Sequence, residues 1–287
     1  MTPPNVATAT AALPPDDDAP ARRPGGLFRI REEIAPRTYV GFVVLSFILP
    51  MIAWCALTYS GKANSLILPT PTSVFDALMA AVRDDTLVPN MKISVFRIGM
   101  GFLASAVLAI PVGILMGTFK LFEAAHEPLV GFIRYVPVPA LIPLVMVSVG
   151  IGEPAKILLI FLGTYFQMVI VVADVTRQVP KDLINAARTL GANRLQCLFS
   201  VILPATLPGL LETCRTMIGW AWTYLVIAEV VATDSGLGYS IMKAQRFLRT
   251  DEIFVGIVVL GLLGLVTDLL FKYLTPRLLP WADAQKS

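Results

Sequence analysis

TYVGFVVLSFILPMIAWCAL, residues 38–57, runs for twenty positions without a charge. A helix of that length rises about 30 Å, the thickness of a bilayer's hydrocarbon core. Two further runs, 98–119 and 157–173, are equally free of charge. Residues 128–149 carry only Arg134 but hold four prolines, Pro128, Pro137, Pro139 and Pro143. Residues 212–232 carry Glu229, and 253–272 carry Asp268. Extended to plausible helix ends, these runs predict six membrane spans at about 38–57, 93–119, 128–149, 155–176, 212–232 and 253–274. The fold class read from them is an all-α membrane protein.

Composition agrees with that class. Of 287 residues, 56% are hydrophobic and 15% charged, against about a quarter charged in soluble domains. A net charge of +3, spread along the chain, gives no basic surface for nucleic acid. Cys55, Cys197 and Cys214 are scattered, and His126 is the lone histidine, so neither a disulfide framework nor a metal site is indicated. Neither G-x-S-x-G nor a zinc-protease pattern occurs, which argues against an intramembrane enzyme. Residues 1–37 read as a disordered tail, rich in Ala, Pro and Thr up to residue 26 and basic from Arg29 to Arg37. They lack the apolar core of a signal peptide. A second short tail is expected at 282–287.

Basic residues set the orientation. With a cytoplasmic N-terminus, thirteen lysines and arginines fall inside and seven outside, which predicts both termini in the cytoplasm. On the outer side, 72–83 reads as an interfacial helix capped by Thr72, with apolar positions 74, 75, 78, 79 and 82 on one face. A second outer helix is expected within 235–252, with Ile241, Met242 and Phe247 as its apolar side.

The stretch NAARTLGANRLQCLFSVILP, residues 185–204, breaks the apolar pattern on the cytoplasmic side. Leu183, Ile184, Ala187 and Leu190 recur at helical spacing, and Gly191 is placed to end that helix in the left-handed conformation. A second helix restarts near Asn193. Pro204 and Pro208 then mark the approach to the fifth span. Periodicity alone allows two readings: a loop folded on its own bundle, or a docking site for another protein.

Here the residues resemble a family. Permease subunits of bacterial ABC importers carry Glu-Ala-Ala, three residues, Gly, nine residues and Ile-x-Leu-Pro. Asn185-Ala186-Ala187, Gly191 and Val201-Ile202-Leu203-Pro204 stand at that spacing, with Asn185 in place of the glutamate and Val201 in place of the isoleucine. The stretches RYVPVPALIPLVMVSVGIGEPAKILLIFLGTYFQ (134–167), WTYLVIAEVVATDSGLGY (222–239) and TPRLLPW (275–281) are similar to the branch that imports taurine, aliphatic sulfonates and nitrate. The likeness covers about 65–281, within a permease domain of 38–281.

The resemblance implies a cytoplasmic coupling helix at about 182–195, between the fourth and fifth spans, docking on an ATPase through Leu183, Asn185, Ala186, Ala187, Arg188, Leu190, Gly191 and Ala192. No G-x-x-x-x-G-K-[ST] loop occurs in the chain, so ATP and Mg belong to that partner and no cofactor to this chain. It also implies a non-catalytic subunit of the inner membrane, working by alternating access. Its partners would be a periplasmic or lipid-anchored binding protein and a second permease copy, a homodimer. The favoured substrate is a sulfonate such as taurine, with nitrate, bicarbonate or another small organic solute as alternatives. A membrane scaffold or receptor is the reading from a different class.

Charges inside a span are costly, so each poses a functional question. Arg134, beside Pro137 and Pro139, either attracts an anion at a bent helix or snorkels to lipid phosphate. Arg97 is expected to snorkel at its helix end. Glu229 is a candidate for the pathway with Arg134, Pro137 and Pro139, and is expected in an ion pair or hydrogen bond with Arg97 or Arg134. Trp220, Trp222 and Tyr224 are either pathway lining or bundle packing. Asp268 is expected to pair with Lys272 at i+4. Gly113 and Gly117 suit close helix approach, within one subunit or across a dimer.

Overall fold

The computed structural model describes residues 35–231 and 234–281. The tails expected at 1–37, apart from 35–37, and at 282–287 lie outside these residues. All the regular structure described is helical. Helix α1 (Pro36–Tyr59) is apolar and solvent-accessible along most of its length, as a lipid-facing helix is. Up to Ala53 the chain forms a unit of its own, and the main body begins at Trp54. There Trp54 stacks on Phe254 with ring centroids 5.5 Å apart and donates its indole N–H to the Pro69 carbonyl at 3.0 Å.

Helix α2 (Pro71–Arg83) starts one residue before its predicted position. Thr70, not Thr72, is the N-cap, its hydroxyl accepting from the Ser73 amide at 3.2 Å. The reason is Pro71, which suits the first helical position because the N–H that proline lacks would find no acceptor within the helix there. Only Val74 of its expected apolar face is fully buried, while Phe75 and Val82 are exposed.

The centre of the bundle is the pair α3 (Leu87–Thr118) and α6 (Glu153–Arg177). Every fourth residue of α3 from 101 to 117 is small: Gly101, Ser105, Ala109, Gly113 and Gly117. A Cβ at Gly101 would collide with Ile160, at Gly113 with Val172 and at Gly117 with Thr176. Such a stripe lets two backbones approach closely and replaces the hydrophobic drive that lipid does not supply. The Gly113–Gly117 approach is therefore made within the chain. The paired numbers rise together, so α3 and α6 run parallel and a return crossing must lie between them.

That crossing is broken. Helix α4 (Lys120–Ile133) and helix α5 (Val138–Val149) meet at a bend of 98° over residues 134–137. The single span read at 128–149 is thus two helices. Pro137 caps α5, Pro139 sits in its first turn, and Pro143 is accommodated inside it.

After α6, helix α7 (Lys181–Thr189) ends at Gly191, whose φ of +88° favours glycine. The helix expected over 182–195 is accordingly a nine-residue helix followed by a turn. Asn193 restarts the chain at α8 (Arg194–Cys197), in a capping box with Gln196 at 2.9 and 2.8 Å. A π-helical turn (Leu198–Ile202) carries α8 into α9 (Leu203–Val230). The fifth span therefore begins well before residue 212, as one helix over Arg194–Val230. The turn's wider i→i−5 bonding, Leu203 to Leu198, leaves room for Pro204, which lacks an amide proton. Helix α9 is antiparallel to α6, since Gly163 abuts Tyr224 and Gly209 abuts Val175. Helices α10 (Leu237–Arg246) and α11 (Thr250–Leu278) complete the body. On α10 the buried positions are Leu237, Gly238 and Ala244, while Phe247, beyond its end, is exposed.

Candidate coupling helix and translocation site

Three places in the body gather the residues singled out by sequence. The first is the end that carries α7. None of the nine residues of α7 is buried. Ile184 packs against the main apolar core and Ala187 is half-buried. Leu183, Asn185, Ala186, Arg188, Leu190 and Gly191 are exposed, and Ala192 is half-buried. Leu190 is 89% accessible and Leu183 49%. An amphipathic helix normally turns its apolar side inward, so an exposed leucine on so short a helix and another at its C-cap leave an apolar edge uncovered. Beside α7, Arg177 gathers Glu127 at 2.7 Å, Asp174 at 2.8 Å and Glu123 at 3.4 Å, tying α6 to α4.

The second place lies near the middle of α6, where the broken crossing bends. A cavity of about 280 Å³ is lined by residues 133–139, Leu141, Leu162, Gly163, Phe166, Gln167 and Tyr224. Irregular backbone at membrane depth is tolerated where it lines a cavity, and the α4–α5 break does so. Arg134, Pro137, Pro139 and Tyr224 are brought together here. The Arg134 side chain is exposed, donates to the Tyr135 hydroxyl at 2.9 Å and lies 4.8 Å from that ring's centroid. It has no carboxylate within ion-pair distance among the described residues. Trp222 belongs instead to the core, its indole donating to Thr267 at 3.2 Å. Trp220 points to neither place and is exposed. Helical geometry sets Trp222 on the opposite side of α9 from Trp220 and Tyr224, which stand one turn apart, and of that pair only Tyr224 lines the cavity.

The third place is the opposite end from α7. Arg97 does not snorkel; it is fully buried. Its guanidinium grips Glu153 at 2.6 and 2.7 Å, reaches Glu229 at 2.6 Å and donates to the Ser235 carbonyl and hydroxyl at 2.9 and 3.0 Å. Those contacts use all five of an arginine's N–H donors. Glu229, also fully buried, accepts in addition from Ser94 at 2.8 Å and from the Gly238 amide at 2.8 Å. Lys156 adds a second cation to Glu153 at 2.9 Å. This cluster joins α3, α6, α9 and the start of α10, and none of its residues lines the cavity.

Several of these residues escaped sequence reading. Gln167, Gly163 and Phe166 line the cavity, but a lone Gln in an apolar run carries no motif. Asp268 pairs not with Lys272 but with Arg215 of α9, at 2.6 and 3.0 Å. An i+4 neighbour is visible in sequence, whereas a partner 53 positions away is not.

Known proteins agree with this architecture. Residues 109–280 match the family described as binding-protein-dependent transport system inner membrane component. A probable ABC transporter permease protein of Brucella abortus is 37% identical over 86% of this chain and 97% of its own. A putative aliphatic sulfonates transport permease protein of Bacillus subtilis is 35% identical, covering 80% and 84%. The taurine transport system permease protein of Escherichia coli is 34% identical, covering 80% and 86%. Among solved structures, a bacterial alginate ABC transporter chain shares the fold, with a TM-score of 0.59 at 14% identity over 84% of this chain and 96% of that one. With the family matched over more than half of its length, the chain belongs to the binding-protein-dependent transport inner-membrane components, as a multi-pass permease of the bacterial inner membrane in the sulfonate, taurine and nitrate branch of ABC importers.

Proposed function

We propose that the chain forms the membrane pathway of an importer for a small organic anion, a sulfonate such as taurine. It takes substrate from a soluble binding protein and works as a homodimer on two ATPase subunits, which hold the ATP and Mg. The observation that carries this reading is α7. A short amphipathic helix with exposed Leu183 and Leu190 at one end of an apolar bundle is built to be covered by another protein. Ile184 anchors it to the core, so a push on α7 is delivered to the helices behind it. The missing phosphate loop assigns hydrolysis to that covering protein.

The cavity at the α4–α5 break supplies the pathway. Arg134 offers a cation with no internal carboxylate partner among the described residues, beside two tyrosines and apolar walls. Such a lining suits a small anion with a short alkyl body. In this reading the Arg97 cluster is structural, holding the segment before α10 in place at the outer end.

The test is reconstitution with the cognate ATPase and binding protein, followed by ATP-driven uptake of taurine, an alkanesulfonate, nitrate and bicarbonate in parallel. Taurine or alkanesulfonate uptake well above the other two is expected. Uptake of nitrate or bicarbonate alone overturns the sulfonate assignment, and uptake of a sugar or cation overturns the anion assignment.

A further inference from the structure

We propose that Gln167 of α6 is a substrate-contacting residue that sets anion affinity, donating its carboxamide N–H to the same oxyanion that Arg134 attracts. This rests on the reading of the mid-depth cavity as the transport site. Gln167 stands within a stretch of α6 that has no charge between Lys156 and Asp174. Its neighbour Thr164 satisfies its hydroxyl on the Ile160 carbonyl at 2.8 Å. The Gln167 amide, by contrast, hydrogen-bonds with none of the described residues, and it lines the cavity. The side chain is half-buried and its polar atoms remain accessible, so the carboxamide is free to bond a ligand oxygen or water in the cavity.

The surrounding residues shape the space for such a ligand. Gly163 lies one turn before Gln167 on the same face of α6. A Cβ there would collide with the Tyr224 ring, so the missing side chain lets that ring lie flat on the helix and wall the cavity. Phe166 and Leu162 add apolar surface beside it. The polar side chains among the lining residues are those of Arg134, Tyr135, Tyr224 and Gln167. Each of these four side chains can donate a hydrogen bond, which suits an anion with several oxygens, such as a sulfonate. A neutral donor adds recognition without a second charge, which keeps the anion releasable, as transport requires.

The same chemistry is offered by a lipid phosphate, so the experiment separates the two sources. Binding of radiolabelled taurine to the permease–ATPase complex is measured without binding protein, in nanodiscs of phosphatidylcholine alone and with phosphatidylglycerol added. Loss of one hydrogen bond to a charged group predicts a Kd about tenfold or more weaker for Gln167→Leu. Gln167→Glu should weaken it further by repulsion, and Gln167→Asn should fall between Gln167→Leu and the unmodified protein. That order is not one that a purely packing role produces, because Glu and Gln have nearly the same shape. Co-purification of each variant with the ATPase shows that it has assembled. If Gln167→Leu and Gln167→Glu bind as the unmodified protein does while Arg134→Gln loses affinity, the Gln167 inference is wrong and the cavity reading stands. If Arg134→Gln is also unchanged, or the unmodified complex shows no saturable binding, the cavity reading itself fails. A Kd that rises with the phosphatidylglycerol fraction assigns the site to lipid and overturns the inference.

Discussion

Replacing Glu229 with alanine removes one carboxylate from the most heavily bonded charge cluster among the described residues. Glu229 and Arg97 are both fully buried, 2.6 Å apart. Breaking such a pair by deleting one partner costs about 3–5 kcal/mol, because the other charge is left in a low-dielectric site. Arg97 keeps its two-pronged bond to Glu153, which places the electrostatic loss near the lower end, about 3 kcal/mol. The Gly238 amide and the Ser94 hydroxyl also lose their acceptor, which adds about 1 kcal/mol. Glu229→Ala should therefore destabilise the protein by ~4 kcal/mol. Glu229→Gln retains an acceptor oxygen and the side-chain volume, and should cost about half as much. Equilibrium unfolding in mixed micelles, read by tryptophan fluorescence, measures both. Combining Glu229→Met with Arg97→Met should cost less than the sum of the single changes, since neither charge is then stranded. A loss below ~1 kcal/mol for Glu229→Ala, or strict additivity in that cycle, would refute the assignment of this cluster as a structural lock.

Gly113→Leu drives a side chain into Val172 at a close approach of α3 to α6; overpacking of this kind costs about 1–3 kcal/mol, occasionally more, and should show as a lower unfolding midpoint and a reduced yield of monodisperse protein. Gly191→Pro imposes a φ near −65° where the chain needs +88°. The variant should insert normally but couple ATP hydrolysis to uptake poorly, measured as a raised ratio of ATP consumed to substrate moved. Asp268→Asn should leave the unfolding midpoint nearly unchanged, because Asp268 and Arg215 remain 41% and 30% accessible; the same unfolding assay checks it.

Much of this architecture was legible because it depends on local pattern. Uncharged runs of twenty residues announce spans, and Gly191 and Asn193 mark a helix stop and a restart through their own backbone chemistry. Local signals also misled where two of them competed. Thr70 and Thr72 are both good caps, and the choice between them is made by Pro71. The prolines of 128–149 foretold bending, but not that the chain would turn through 98° at residues 134–137. Pro204 reads as a helix break until a π-helical turn absorbs it.

The charges were the least legible part. Arg97 looks like a helix-end arginine until Glu153, 56 residues away, and Glu229, 132 residues away, converge on it. Such convergence follows from the parallel pairing of α3 with α6, which is itself set by a stripe of small residues. Gln167 is hidden for the same reason: its meaning comes from sharing with Arg134 and Tyr224 a cavity whose lining is drawn from α4, α5, α6 and α9.

The central claim is that α7 is the surface on which an ATPase partner seats. It is tested most directly by crosslinking in a variant with Cys55, Cys197 and Cys214 replaced. Single cysteines are placed at Leu183→Cys and Leu190→Cys on α7, and at Phe75→Cys on α2 as an exposed position at the other end of the bundle. The account predicts crosslinks to the co-expressed ATPase from both α7 positions and none from Phe75→Cys. Crosslinking from Phe75→Cys, or its absence from α7 in a complex that hydrolyses ATP and transports, would contradict it.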